Sequence, residues 1–117
     1  MASRSQQSEL AERLLGFSAE AFDAGEYESA YHLLMAALHL ADHAEDCAVA
    51  RRIAQLADRQ GEAIEAISPP HHLSQRWADR RGTSSVYRTL RVHAHSVLLR
   101  IQSRTTLDRE FPAWPGG

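Results

Sequence analysis

Residues 16–41, GFSAEAFDAGEYESAYHLLMAALHLA, constrain this chain more than any other stretch: two apolar-periodic runs are separated only by Asp23, Ala24 and Gly25. At about 100° per residue, Leu10, Leu14, Phe17 and Ala21 fall in one line, with Leu15 and Phe22 beside them. Gly25 suits a helix end, because glycine tolerates the left-handed conformation there. After it, Ala30, Leu33, Leu34, Ala37, Leu38 and Ala41 form a broad apolar face, widened by Tyr27, Tyr31 and Leu40. A connection of two or three residues forces the two helices antiparallel. The spacing of Ala30 and Ala37 predicts a close approach of the two backbones.

The remainder reads as helices that cover this hairpin. Ser8 is a candidate N-cap for the first helix, with Glu9 and Glu12 in a first turn whose dipole favours anions. Residues 1–7 are then a flexible tail. A third helix is predicted from about residue 45 to 67, with Ile53, Leu56, Ala57, Ala63, Ile64 and Ile67 on one face. Gly61 allows a bend within it, and Pro69 and Pro70 end it. A short helix around Trp77 is expected over residues 73–80, followed by a loop at Gly82, Thr83 and Ser84. A fourth main helix is predicted over residues 85–103, with Val86, Leu90, Ala94, Val97, Leu98 and Ile101 facing the core. Residues 105–117 are expected to be a flexible tail containing Phe111 and Trp114.

Composition agrees with this pattern. The chain has 117 residues and 44% hydrophobic side chains, enough for one domain with a real core. No run alternates apolar and polar residues for the length of a strand. The fold class predicted is all-α, a compact bundle of four main antiparallel helices in one domain. A single cysteine, Cys47, excludes an internal disulfide framework and reads as a small buried residue. With no membrane-length apolar run and no secretory signature at the polar N-terminus, the expected setting is the cytoplasm.

The hairpin resembles the second half of a tetratricopeptide repeat. The residues that carry the resemblance are Gly25 at the turn, Tyr27 two residues on, then Ala30, Leu34, Ala37 and Leu38. Leu14 and Phe17 fall where the family's first helix carries large apolar residues. Ser18 occupies that helix's small position, Ala21 stands in place of its aromatic, and Asp42 stands where a proline would follow. The resemblance covers about 34 residues, and no second copy is evident. It implies a protein–protein interaction or adaptor role and a hairpin opening the bundle.

Charge is unevenly distributed. Residues 1–68 hold 12 acidic and 5 basic side chains, net −7, whereas residues 69–117 hold 3 and 8, net +5. All 13 basic residues are arginine. The two halves are expected to pair with each other. The competing reading gives Arg76, Arg80, Arg81, Arg88 and Arg91 to an acidic ligand or nucleic acid. No helix-turn-helix signature supports nucleic acid, and the whole chain is slightly acidic.

Two features remain as candidate sites. Val92 and Leu99 lie opposite the core face of the fourth helix, seven residues apart, and predict an interface through which the chain self-associates as a twofold dimer. His32, His39 and His43 share the outer side of the second helix. His39 and His43, one turn apart, have a spacing that helical metal sites use, so a metal-binding protein is the alternative. The competing reading of this stripe is a solvated polar face. His71 and His72 fall in the presumed loop after the prolines. His93 is expected at the core edge of the fourth helix and His95 on its surface. No Gly-rich phosphate loop, nucleophile elbow or HExxH motif is present. No catalytic, cofactor or metal residue is therefore assigned, and an enzyme is not predicted.

Overall fold

The computed structural model describes residues 2–67 and 86–110. Four helices make up the bundle: α1 (Arg4–Asp23), α2 (Tyr27–Ala44), α3 (Cys47–Ile67) and α4 (Val86–Glu110). There is no strand among the described residues. The expected helix over residues 73–80, the loop at residues 82–84 and the segment 111–117 lie outside them.

α1 begins earlier than the sequence reading placed it. Ser3, not Ser8, is the N-cap. Its hydroxyl accepts from the Gln6 backbone N–H at 3.1 Å, and the Gln6 side-chain oxygen accepts from the Ser3 N–H at 2.8 Å. This reciprocal capping box satisfies two N–H groups that a helix start leaves without partners. Most of the presumed tail is thus helical.

The α1–α2 turn is as compact as expected. Glu26 N–H donates to Ala21 O at 2.8 Å and Gly25 N–H to Phe22 O at 3.0 Å, with Gly25 at φ +83°. These are the paired bonds of a Schellman end. α2 ends the same way, but there the left-handed residue is Glu45, at φ 54°. α3 therefore starts at Cys47 rather than at residue 45. Asp46 caps it by accepting the Val49 N–H at 3.1 Å.

α1 and α2 form one close antiparallel pair, and α3 and α4 form a second. The contacts between pairs fix their directions. Glu12 and Arg52, then Ser18 and Gln60, run α1 parallel to α3. Tyr31 and Tyr87, then Asp42 and Arg100, run α2 parallel to α4. The second hairpin is laid on the first with matching direction. Gly61 produces no break: α3 is continuous through it, and the Tyr87 Cβ packs against that position.

The core contains Leu34, Leu38, Ile53, Ile64, Leu90, Val97 and Ile101, with alanines between them. On α2 and α4 it follows the predicted faces. On α1 it does not. The buried line is Ala11, Leu15 and Ser18, whereas Leu10 and Phe17 are exposed, Phe17 by 54%. The cause is size. α2 presents Ala30, Ala37 and Ala41, all fully buried, so α1 approaches closely and places the small Ala11 and Ser18 in the seam beside Leu15. Leu10 and Phe17 are displaced to the flank.

The core also holds a polar chain that the sequence reading missed. Ser18 Oγ donates to the Ala30 carbonyl at 2.8 Å, and Gln60 Nε2 donates to Ser18 Oγ at 3.2 Å. The Tyr87 hydroxyl donates to Gln60 Oε1 at 2.7 Å, with the Tyr27 carbonyl at 3.4 Å. All four helices take part, α2 through two backbone carbonyls. No buried side-chain nitrogen or oxygen among the described residues lacks a partner. Burial raises the Tyr87 phenol well above its ordinary range, with Tyr31 adding to the shift, so the hydroxyl stays protonated and donating.

Candidate functional site

The outer face of α4 is the first candidate. Tyr87, Leu90, Ala94, Val97 and Ile101 turn inward at helical spacing. That rotation leaves Val92 and Leu99 outside, exposed by 62% and 63%. Their seven-residue separation keeps them nearly in line along a helix of 25 residues, roughly 37 Å long. Ser96 lies between them and is also exposed. Both apolar residues border an open groove of about 790 Å³ between α3 and α4. Asp58 and Glu62 line its α3 side, and Arg91 and His95 its α4 side. The apolar pair is thus framed by charges of both signs.

α4 extends to Glu110, seven residues beyond its predicted end. Leu107, near its end, is exposed. Arg100 bonds Asp42 at 2.7 Å, and Arg104 pairs with Glu45, which Arg4 also approaches at 3.8 Å. These ion pairs tie the continuation of α4 to the end of α2.

They also explain the uneven charge. Arg91 meets Asp58 at 2.6 Å, so Arg91, Arg100 and Arg104 of the basic half all pair with acids of the other half. His95 also approaches Asp58, at 3.6 Å. Of the arginines considered for an acidic ligand, Arg76, Arg80 and Arg81 lie outside the described residues, and Arg91 is engaged internally.

The second candidate is the histidine face of α2. His32, His39 and His43 are all exposed on the side away from the core, as their spacing predicts. The structure adds a residue from another helix. His93 of α4 is exposed rather than at the core edge, and its ring lies 6.3 Å from that of His39, centre to centre, at 82°. No group of three or more His, Cys, Asp or Glu side chains among the described residues is gathered closely enough to hold a metal ion. His71 and His72 lie outside those residues. Cys47 is only half-buried, and Arg51 reaches its sulfur at 3.8 Å.

Two further exposed apolar residues, Leu10 and Phe17, lie on the flank of α1. With Val92, Leu99 and Leu107, every large exposed hydrophobic residue described is on α1 or α4. None of the helices described is long and apolar enough to cross a membrane.

No family model matches the chain, and no curated protein or solved structure is significantly similar to it. The functional reading therefore rests on the surface itself.

Proposed function

We propose that this chain is a non-enzymatic protein–protein interaction or adaptor domain that self-associates as a twofold dimer through the outer face of α4. The observation that carries the proposal is the exposure of Val92 and Leu99 in line on that face. Fully burying one such aliphatic side chain is worth roughly 1.5–3 kcal/mol, a gain the monomer leaves unrealised. A twofold axis near Ser96 brings Val92 of one copy against Leu99 of the other and uses the same patch twice. The small Ser96 side chain permits close approach of the two helices. Two stacked helix pairs, together with the resemblance of the α1–α2 hairpin to a tetratricopeptide repeat, support the interaction role. Cytoplasmic residence belongs to the same proposal, on the single free Cys47.

Light scattering at tens of micromolar protein tests it. The expected result is a dimer mass for the wild type and a monomer mass for the Val92→Ser/Leu99→Ser variant, with unchanged helical circular dichroism. A monomeric wild type overturns the proposal, as does a variant that remains dimeric.

A further inference from the structure

We propose that His39 and His93 form a weak, solvent-open site for a divalent transition-metal ion that clips α2 to α4. The two imidazoles come from different helices, both are exposed, and their ring centres are 6.3 Å apart. Two imidazoles on one zinc ion, each bound at about 2.0–2.1 Å, have ring centres roughly 5–6 Å apart. A small rotation of two surface side chains closes the difference. The backbones that carry them are already registered: further along the same two helices, Arg100 holds Asp42 at 2.7 Å.

The sequence reading paired His39 with His43, four residues along the same helix. The structure adds His93 of α4, whose ring lies 6.3 Å from that of His39. This changes what an ion would do. A same-helix pair stabilises one helix, whereas a cross-helix pair couples two elements of the fold. With no third ligand gathered among the described residues, water completes the coordination shell. Binding is then weak and exchangeable rather than structural. Neutral imidazole suits zinc, nickel and copper ions, which defines the ligand class. His93 points toward α2, whereas Val92 and Leu99 border the groove with α3.

An ion that binds the folded chain and not the unfolded one raises the melting temperature by mass action. The test uses protein free of any polyhistidine tag, with zinc or nickel chloride titrated alone during thermal melting. The expected result is a rise in melting temperature that is lost in both His39→Ala and His93→Ala and kept in His32→Ala and His43→Ala. All four residues are exposed, and circular dichroism without metal verifies that each variant folds. Absence of any rise in the wild type overturns the proposal. A rise that survives His93→Ala but not His43→Ala overturns it in favour of the same-helix pair. A rise that survives all four substitutions shows adventitious surface binding and also overturns it.

Discussion

The Tyr87 hydroxyl on α4 donates a 2.7 Å hydrogen bond to Gln60 Oε1 on α3, inside a core that is otherwise apolar. Gln60 passes the connection to Ser18 on α1, and Ser18 to the Ala30 carbonyl on α2. A side-chain hydrogen bond needs its two partners at one distance and angle, whereas apolar packing tolerates sliding. The chain of bonds therefore fixes how far each helix is shifted along its neighbours. The alanine-rich seam between α1 and α2 would accept several registers by size alone.

Removing one end of this chain should cost more than the bond it deletes. Tyr87→Phe leaves Gln60 Oε1 buried without its donor, and such a loss costs about 1–3 kcal/mol. Gln60→Ala should fall in the same range and open a cavity as well. The double variant Tyr87→Phe/Gln60→Leu should be less destabilised than the sum of Tyr87→Phe and Gln60→Leu, because no polar atom of that pair is then left buried. Urea denaturation of the four proteins measures the coupling, and strict additivity would exclude an energetic link between the two residues.

The Tyr87 phenol also makes stability depend on alkaline pH. Its folded-state pKa is raised, first by burial and then by Tyr31. In the unfolded chain a tyrosine titrates near about pH 10. Above that pH the folded state holds a proton that the unfolded state has released, so stability falls as pH rises. Below it the contribution is complete and flat. Denaturation midpoints measured from neutral pH to about pH 11 should decline at the alkaline end in the wild type, and less steeply in Tyr87→Phe. Equal alkaline slopes for the two proteins would remove Tyr87 as the source.

Much of the fold was legible because the α2 and α4 faces combine large and small apolar residues at one periodicity. The Gly25 turn was legible because few residues other than glycine accept its φ of +83°. The end of α2 was harder, since Glu45 takes a left-handed conformation without a glycine to announce it. The start of α1 was readable and missed: Ser3 and Gln6 have the capping-box spacing, but no apolar residue follows until Leu10 to draw attention to it. Tyr87 was readable too, three residues before Leu90 on the same face. Gln60 was not, because a polar residue inside a helix is buried only if another element brings it a partner. The same holds for His93, whose approach to His39 depends on how α4 lies against α2. Val92 and Leu99 could be placed outside by periodicity alone.

The glycines should separate by conformation. Gly16 is helical, and a Cβ there meets nothing within 4 Å. Gly61 is helical, and a Cβ there makes an ordinary 3.5 Å contact with the Tyr87 Cβ. Gly16→Ala and Gly61→Ala should each stabilise the fold by about 0.5–1 kcal/mol through helix propensity. Gly25→Ala meets no clash either, but it must hold φ +83° and should lose about 1–2 kcal/mol. Thermal melting of the three single variants provides the comparison. A gain at Gly25 would mean that the turn relaxes to another geometry.

The rotation of α1 yields the sharpest contrast with its sequence pattern. If Leu10 and Phe17 formed the core face, Phe17→Ser would cost several kcal/mol, as large core truncations do. The structure leaves Phe17 54% exposed and gives the seam to Ala11, which is fully buried. Phe17→Ser should therefore cost at most about 1 kcal/mol, in the range of a surface change. Ala11→Leu should cost more, about 1–3 kcal/mol, because added methylenes must force apart helices packed through alanine. Urea denaturation of both variants decides between the two rotations. A Phe17→Ser loss larger than that of Ala11→Leu would return the large residues to the core and overturn the seam described for α1 and α2.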